Sequence, residues 1–285
     1  MQVNAFQKNI ILTGIPRSGT TLTCHLLNKL PDCVALHEPI IPLELVPLAR
    51  QAVVDHIVDF FAAQRQQIKN SGTAFSKSTG GKVPDNPMAG IDPRTGRRIR
   101  VLDGHVIHID KELPADFYLV IKQPAFFTAI LADLTQQASL SCFAVIRNPL
   151  SVLLSWNSVE MPVSRGRVPA AEAFSEGLVQ LLDTEPDVIN RQLILLNWFF
   201  EQYASYLKPQ QILYYEKTVA SKGQSLQCMV DSAKALNEPL KSQNANSLYS
   251  PALKLELAER LLAQANHAFR LFYTDEDILE LARPS

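Results

Sequence analysis

One short loop near the start of the chain constrains its fold more than any other segment. The loop reads Gly14-Ile15-Pro16-Arg17-Ser18-Gly19-Thr20-Thr21 and lies between two apolar runs, residues 9–14 and 21–30. The first run ends in glycine and is typical of a buried strand, and the second has the length of a buried helix. A loop between a strand and a helix presents backbone N–H groups to an anion. The sequence therefore predicts an anion-binding strand, loop and helix here.

The spacing of this loop copies the ATP-binding pattern G-x-x-x-x-G-K-[ST] with one change. Thr20 occupies the lysine position, so the loop lacks the cation that reaches the β- and γ-phosphates of a triphosphate. Arg17 supplies positive charge from within the loop, nearer to an α-phosphate-like group. We therefore expect a nucleotide with a short 5′ anion. The alternative is a glycine-containing turn that binds no ligand.

Further apolar runs alternate along the chain in lengths typical of strands and helices. The other predicted strands are residues 33–36, 117–121, 140–146 and 212–215. The other predicted helices are residues 44–69, 126–137, 150–159, 170–182, 188–207, 225–236 and 251–271. This alternation predicts an α/β, P-loop-like three-layer fold with a mostly parallel central sheet flanked by helices. Ligands of such sheets bind where strands end, which here means after Gly14, Ile121 and Ile146.

The length of 285 residues and an apolar fraction of 47% favour one domain over residues 1–285. Within it, residues 71–98 are rich in Gly, Ser, Pro, Lys and Asn without a period, which predicts a mobile loop or lid. Asp103-Gly104 between apolar runs predicts a hairpin, so that residues 71–110 form an insertion. Residues 161–169 are a second irregular stretch, and residues 221–285 are a helical C-terminal part of the same domain.

Charge and cysteine content exclude several classes of function. Lys and Arg number 27 and Asp and Glu 28, and the net charge of −1 does not favour nonspecific nucleic-acid or polybasic membrane binding. The four cysteines form no CxxC pair, which predicts buried small side chains in a reducing compartment and no metal cluster. No secretory signal is recognisable, and no apolar run approaches the ~18 residues of a membrane span. We therefore expect a cytoplasmic protein without an integral membrane segment.

A second candidate anion site follows the predicted strand 140–146. Arg147 ends that strand, Pro149 suits the first turn of the next helix, and Ser155 lies eight residues after Arg147. If the helix begins near Pro149, the arginine fork and the serine hydroxyl reach one anion from loop and helix. The alternative is a surface arginine beside a packed serine. Together with the first loop, the pattern indicates a nucleotide phosphorylated at two positions.

Three segments resemble those of the sulfotransferases that use 3′-phosphoadenosine-5′-phosphosulfate (PAPS). GIPRSGTT resembles the family's 5′-phosphosulfate loop, P-[RK]-[ST]-G-[ST]-[ST], and FAVIRNPLSVLLSW resembles its 3′-phosphate motif. ILYYEKTV, at residues 212–219, resembles a later strand-end segment of arginine, tyrosine, glutamate, aspartate and leucine. The order and separation of the three segments also agree, between residues 9 and 220.

The resemblance implies a single α/β domain that transfers the sulfuryl group of PAPS to a hydroxyl or amine without a metal. The product would be adenosine 3′,5′-bisphosphate. Of the two tyrosines in the third segment, one must face the core, and Tyr215 is the one expected at the nucleotide. The full expected nucleotide-binding set is Arg17, Ser18, Gly19, Thr20, Thr21, Arg147, Ser155 and Tyr215.

The catalytic base differs between branches of this family. The small-molecule branch has a histidine two residues after a strand-end lysine; here Lys122 is present, but Pro124 stands at the histidine position. The carbohydrate and tyrosyl-protein branch has a glutamate just after the second strand, which Leu36-His37-Glu38-Pro39 resembles. The resemblance implies Glu38 as general base, with Lys122 and Arg17 as cations that stabilise transition-state charge. The alternative for Glu38 is a cap or a salt bridge.

Three histidines remain open as candidates. His37 is adjacent to Glu38, and neighbouring side chains on a strand point to opposite faces, so we expect His37 in the core or at the surface. His105 and His108 lie in the insertion, where either one reaches the acceptor pocket or both are structural.

Two arginines and two tryptophans carry weaker signals. Arg165 and Arg167 either close over the nucleotide, bind an anionic acceptor or belong to a solvated loop. Trp156 and Trp198 lie at helical positions and are predicted to be core residues.

Two other functions compete with sulfuryl transfer. A nucleotide or small-molecule kinase with a degenerate P-loop would need the missing lysine and a Mg²⁺-binding carboxylate after a strand. A non-catalytic nucleotide-sensing module would not need Glu38, Lys122, Arg147 and Ser155 together. The expected acceptor is a hydroxyl-bearing small molecule, lipid or carbohydrate. The sequence neither chooses among these acceptors nor indicates an oligomeric state.

Overall fold

A computed structural model describes residues 8–88, 90–94, 98–99, 101–244 and 249–283 of the chain. Its strands are β1 (Asn9–Gly14), β2 (Cys33–His37), β3 (Thr73–Ser78), β4 (Gly90–Ile91), β5 (Arg98–Ile99), β6 (Asp103–His108), β7 (Tyr118–Lys122), β8 (Ser141–Ile146) and β9 (Ile212–Tyr214). Its α-helices are α1 (Thr20–Leu27), α2 (Arg50–Ser71), α3 (Pro124–Ala129), α4 (Leu131–Leu134), α5 (Pro149–Asn157), α6 (Pro169–Glu172), α7 (Glu176–Asp183), α8 (Val188–Tyr206), α9 (Tyr215–Ala220), α10 (Pro251–Leu262) and α11 (Asp275–Ala282). Short 3-10 helices span Pro42–Leu45, Pro162–Arg165, Pro209–Gln211, Gln224–Cys228, Asp231–Ala235 and Ala268–Leu271.

The central sheet has five parallel strands in the order β2-β7-β1-β8-β9. Side chains of β1 alternate between its two faces, so that Ile11 packs in one apolar cluster and Ile10 and Leu12 in another. Helices α2, α5 and α8 contribute to the first cluster, and α1 contributes to the second. Helices therefore cover both faces of a parallel sheet, which confirms the predicted α/β three-layer, P-loop-like fold.

The register of the sheet brings the predicted functional segments to one edge. His37 at the end of β2 lies beside Lys122 at the end of β7, and Gly14 at the end of β1 lies beside Val145 in β8. Because the strands are parallel, the loops that follow them leave the sheet on the same side. The loops after β1, β2, β7 and β8 therefore meet, and those after β1, β7 and β8 are the ones that the sequence places at the ligand.

The hairpin predicted at Asp103-Gly104 is wrong. Both residues lie inside β6, which pairs antiparallel with β3. A Cβ on Gly104 would lie 2.7 Å from the ring of Phe75 on β3, so this glycine permits a close approach between strands. The glycine of this dipeptide is therefore needed for tight packing between β3 and β6, and it does not form the turn that the sequence pattern indicated.

The mobile loop predicted over residues 71–98 is wrong in its first part, which forms β3. Alternate residues of this strand are buried, but they are the small side chains Ala74, Ser76 and Ser78. A period of two without large apolar residues gives no strand signal, which explains the error. Residues 89, 95–97 and 100, which the predicted insertion includes, lie outside the described residues.

Prolines and caps divide several predicted helices. The helix predicted over residues 44–69 begins only at Arg50, because Pro47 lacks an N–H and restricts the residue before it. The predicted helix 126–137 divides into α3 and α4 at Ile130. The predicted helix 170–182 divides into α6 and α7, where Ser175 caps α7 by accepting a hydrogen bond from the Leu178 N–H.

The C-terminal part is less regular than predicted. Residues 225–236 form two 3-10 helices, and the helix predicted over residues 251–271 ends at Leu262. Helix α11 follows, and it begins with a capping box in which the side chains of Thr274 and Asp277 each accept from the other's backbone N–H. This Thr-x-x-Asp pattern is a helix start that the sequence analysis missed.

The four cysteines are free. Cys24, Cys33 and Cys142 are buried, and Cys228 is partly buried. Burial raises the pKa of the Cys24 and Cys142 thiols to about 12, which leaves them as inert small side chains. None of the helices in the described residues has the length and apolarity that a membrane crossing requires.

Gly14→Ala is expected to destabilise the protein by about 1–3 kcal/mol or more. Gly14 has φ 149°, and a Cβ there would lie 2.5 Å from the Val145 carbonyl oxygen. Urea denaturation measures the loss. Gly177→Ala in α7 is the matched control, because a Cβ there meets nothing within 4 Å, and it should gain roughly 0.5–1 kcal/mol. A Gly14→Ala variant as stable as the original protein would contradict the close packing of β1 on β8.

Candidate active site

A cavity of about 600 Å³ opens where β1, β2, β7 and β8 end. It collects most of the residues that the sequence marks as functional. The predicted site residues that line it are Arg17, Gly19, Thr20, Thr21, Glu38, Lys122, Arg147, Ser155 and Tyr215. Ser18 is fully buried beneath the loop, where its hydroxyl donates to the Val145 carbonyl at 2.7 Å and its N–H donates to the Ile15 carbonyl. Ser18 therefore fixes the loop on β8.

The anion loop, residues 14–21, is held from both sides. Trp156 of α5 is fully buried, and its indole Nε1 donates to the Pro16 carbonyl at 2.7 Å. Gly19 has φ 100° and precedes α1, whose first backbone N–H groups have no acceptor within the helix. A Cβ at Gly19 would lie 2.7 Å from the Tyr215 ring, so only glycine lets the loop pass under that tyrosine.

Arg17 and Arg147 meet at this loop. Arg147 is 4% exposed, and its Nη1 donates to the Arg17 carbonyl at 3.1 Å. Arg17 Nε donates to the Ser155 hydroxyl at 3.2 Å. Arg17 therefore contacts both Arg147 and Ser155, the two residues that the sequence predicts at one anion.

The remaining contacts of Arg147 are also to neutral groups. Its Nη2 donates to the Gln243 carbonyl at 2.6 Å and its Nε to the Asn244 side-chain oxygen at 2.7 Å. The guanidinium lies 4.6 Å from the centre of the Tyr215 ring, whose hydroxyl accepts from the Gln243 N–H. The segment around Gln243 thus orients Arg147 without neutralising it.

The two guanidiniums form a concentration of uncompensated positive charge. Among the described residues neither Arg17 nor Arg147 forms an ion pair with a carboxylate. Burial and, next in size, the charge of Arg147 together lower the pKa of Arg17 to about 10. Charges arranged this way favour the binding of an anion between them.

Arg98 is a cavity residue that the sequence analysis did not single out. It belongs to β5, and its charge also lowers the pKa of Arg17. Its backbone is tied to the end of α5, since its N–H donates to the Ser158 carbonyl and its carbonyl accepts from the Glu160 N–H. It lies in the stretch that was predicted to be a loop, where the sequence offers no periodic signal.

Glu38 and Lys122 meet at another part of the cavity. Lys122 is 3% exposed, and its Nζ donates to Glu38 Oε1 at 2.7 Å. Lys77 of β3 donates to the other carboxylate oxygen, Glu38 Oε2, at 3.1 Å. The salt bridge that the sequence analysis kept as an alternative for Glu38 is therefore present, with two lysines. Two ammonium groups at these distances favour the ionised carboxylate.

His37 and its neighbour Glu38 both line the cavity, although adjacent side chains on a strand are expected to point to opposite faces. Its Nε2 lies 3.0 Å from Lys122 Nζ and 3.1 Å from the Thr21 hydroxyl. An ammonium only donates, so Nε2 accepts from Lys122. The expectation that adjacent side chains diverge fails because Glu38 has φ 45° and leaves the strand geometry.

Other candidates lie away from the cavity or are neutralised. His105 and His108 are exposed on β6 and are not among the lining residues. Arg165 is exposed and pairs with Glu160. Arg167 does line the cavity, but carboxylates of Glu172 and Asp183 both contact it.

The third sequence segment positions the end of β8 through Glu216. Its Oε1 accepts from the Asn148 N–H at 2.9 Å and from the Asn244 side chain at 3.0 Å. Its Oε2 accepts from the Tyr273 hydroxyl at 3.0 Å, and burial together with this carboxylate raises the pKa of Tyr273. Glu216 therefore joins β8, the segment that orients Arg147 and the C-terminal part. Within the described residues no group of three or more His, Cys, Asp or Glu side chains is arranged to hold a metal ion.

No protein-family model and no curated protein sequence matches the chain. Among solved structures, a sulfotransferase from Alicyclobacillus acidocaldarius aligns over 98% of this chain and 100% of its own, with 12% identity and a TM-score of 0.45. Sulfotransferase STF9 from Mycobacterium avium aligns over 97% of this chain and 75% of its own, with 12% identity and a TM-score of 0.37. Sulfotransferase STF1 from Mycobacterium tuberculosis H37Rv aligns over 98% and 77%, with 14% identity and a TM-score of 0.33. Because these values are low, the function proposed below rests on the residues of the site.

Trp156→Phe is expected to lose about 1–3 kcal/mol more stability than Trp198→Phe. Both changes remove part of a buried indole, but Trp156 alone donates to Pro16, and its loss leaves that carbonyl of the anion loop without its partner. Urea denaturation of the two variants gives the difference. Equal losses would show that the hydrogen bond to Pro16 does not stabilise the loop.

Proposed function

We propose that the chain is a sulfotransferase that transfers the sulfuryl group of PAPS to the hydroxyl of an acceptor. The observation that carries the proposal is the pair Arg17 and Arg147 at the anion loop. Both donate to neutral acceptors, and neither pairs with a carboxylate among the described residues. A nucleotide that bears anions at both its 5′ and 3′ positions matches two adjacent arginines better than a single anion does.

The loop and the start of α1 are assigned to the 5′ end of the nucleotide. Backbone N–H groups at a helix N-terminus favour an anion. Arg147 and Ser155 are assigned to the 3′-phosphate, and Tyr215 is packed between Arg147 and Gly19. Arg17 donates to Ser155 from within the loop, so it lies between the two assigned positions.

The position of Thr20 supports a short 5′ anion over a triphosphate. Thr20 is 4% exposed, and its methyl group packs against the Gly14 backbone. A P-loop kinase has a lysine here that reaches the β- and γ-phosphates. The kinase alternative would therefore need a cation from another position.

Glu38 is assigned as the general base. In the transfer, the acceptor oxygen forms a bond to sulfur while its proton passes to Glu38. The bond from sulfur to the bridging oxygen of the 5′-phosphate breaks, and adenosine 3′,5′-bisphosphate leaves with that electron pair. Glu38 and Arg17 both have positive φ, which is strained for residues other than glycine and is typical of functional positions.

Lys122 is assigned as the cation that stabilises negative charge on the transferring group. It is nearly fully buried between Glu38 and His37, where low solvent exposure strengthens its field. Lys77 is assigned a positioning role, because it holds the second oxygen of Glu38. The carboxylate keeps further lone pairs that can accept the proton of an acceptor hydroxyl.

Calorimetric titration tests the nucleotide assignment. Adenosine 3′,5′-bisphosphate should bind without a metal and more tightly than ATP–Mg²⁺, and Arg147→Ala should weaken this binding by roughly 1.5–3 kcal/mol because a charge-assisted contact is lost. Arg165→Ala is the matched control, since Arg165 is exposed and does not line the cavity. Tighter binding of ATP–Mg²⁺ would reject the sulfotransferase in favour of a kinase. Equal affinities of the Arg147→Ala and Arg165→Ala variants would remove Arg147 from the site.

Glu38→Gln should lower turnover by about 10²–10⁴ while affinity for adenosine 3′,5′-bisphosphate stays unchanged. Turnover is measured as acceptor-dependent release of the bisphosphate from PAPS, with phenols, alcohols and sugars supplied as acceptors. Glu44→Gln is the control, because Glu44 is an exposed glutamate shortly after the same strand. A fully active Glu38→Gln enzyme would assign the base to another residue.

A further inference from the structure

The wall of the cavity next to Lys122 is apolar. Helix α3 begins two residues after Lys122, and its Phe126 lines the cavity. The other apolar lining residues here are Met161, just before the 3-10 helix Pro162–Arg165, Val163 within that helix, and Val168 and Ala170 at α6. Phe126, Val163 and Val168 are buried, so they present fixed apolar surface at this cavity. Met88, from the insertion, adds a flexible apolar side chain.

Three polar side chains on this wall, Arg167, Gln123 and Asn86, form bonds within the protein. Arg167 contacts the carboxylates of Glu172 and Asp183. The Gln123 side-chain N–H donates to the Ile40 carbonyl at 3.1 Å, which leaves its buried Oε1 as the one end of the amide without a partner among the described residues. The Asn86 side-chain oxygen accepts from the Met88 N–H at 3.1 Å. A sugar with several hydroxyls would leave many of them without partners here, and each unpaired buried polar group opposes binding. Because two carboxylates neutralise the charge of Arg167, this arginine attracts an anionic acceptor only weakly.

The size of the cavity also limits the acceptor. Its volume is about 600 Å³, which falls in the ordinary range for small-molecule sites, about 300–1,000 Å³, and the proposed reaction requires this space to accommodate both substrates. After the nucleotide is bound, the space left suits a molecule of modest size or one end of a longer apolar chain.

We propose that the acceptor is a neutral, apolar molecule that presents one hydroxyl, which enters along the wall of Phe126, Met161, Val163 and Val168. The hydroxyl is directed to Glu38 and Lys122, where the cavity is polar. The apolar part is held by burial against the wall. This inference rests on the proposed sulfotransferase function, and it selects one acceptor class from the small molecules, lipids and carbohydrates that the sequence left open.

Alkylphenols and a sugar separate the classes. The protein saturated with adenosine 3′,5′-bisphosphate is titrated by calorimetry with phenol, 4-ethylphenol, 4-butylphenol and N-acetylglucosamine. Affinity should rise about fourfold for each added CH₂ group, the factor expected from the burial of one methylene. The same order should hold for kcat/KM with PAPS. Affinity independent of chain length, or tighter binding and faster turnover of N-acetylglucosamine, would overturn the apolar acceptor.

A charge on the wall gives a second test. Val168→Asp should weaken binding of 4-butylphenol more than about tenfold, because an ionised carboxylate would lose hydration against the ligand, and leave affinity for the bisphosphate unchanged. Leu181→Asp is the control, since Leu181 is 52% exposed on α7. If Val168→Asp does not fold, Met161→Gln replaces it, because Met161 is only partly buried. Unchanged 4-butylphenol binding in the folded variant would overturn the assignment of this wall.

The outcomes also separate this inference from the function on which it rests. Failure of the bisphosphate to bind would reject the sulfotransferase itself. Binding of the bisphosphate with preference for the sugar, or with no binding of any alkylphenol, would reject only the apolar acceptor.

Discussion

The arrangement of the site depends on two adjacent guanidiniums, those of Arg17 in the anion loop and Arg147 after β8, which pair with no carboxylate of the described residues. Arg147 donates a hydrogen bond to the Arg17 carbonyl, so its charged guanidinium also connects the end of β8 to the loop after β1. Burial and the repulsion from the nearby charge of Arg147 both lower the pKa of Arg17. The surrounding protein compensates with neutral acceptors and an aromatic ring, Tyr215. Two positive charges held close together without a counter-charge are stabilised when an anion binds between them, so this arrangement favours anion binding.

The rest of the architecture keeps these charges in place. Trp156 fixes the loop at Pro16, and Glu216 connects the end of β8 to the segment that orients Arg147. At the other part of the cavity, Lys122 donates hydrogen bonds to both His37 and Glu38 and so holds these two side chains in place. The site therefore pairs a cationic region suited to a nucleotide with a buried carboxylate–lysine group suited to proton transfer and charge stabilisation.

The sheet and the anion loop were predictable because their signals are local. Strand β1 and helix α1 have continuous apolar runs, and β8 followed by Pro149 has both a buried strand and a helix start. The convergence of Arg17, Arg147 and Ser155 followed from motif order and a parallel sheet. The roles assigned to these residues remain predictions.

The missed features depend on tertiary packing. Strand β3 buries alanine and serine, so the lysine it delivers to Glu38 had no periodic signal. His37 and Glu38 both face the cavity because Glu38 has a positive φ, and a glutamate in the sequence does not indicate that conformation. Arg98 reaches it from a stretch without pattern, held by backbone bonds to Ser158 and Glu160. Each contact joins residues far apart in the sequence, which single-sequence patterns do not report.

The central claim is that the arginine pair recognises two anions of one nucleotide. It is tested most directly by the affinities of the protein for adenosine 5′-monophosphate and adenosine 3′,5′-bisphosphate, measured at one salt concentration. The account predicts that the 3′-phosphate strengthens binding by about tenfold or more, the worth of a charge-assisted contact. Equal affinities for the two nucleotides would contradict it, because one of the two anion positions would then be absent.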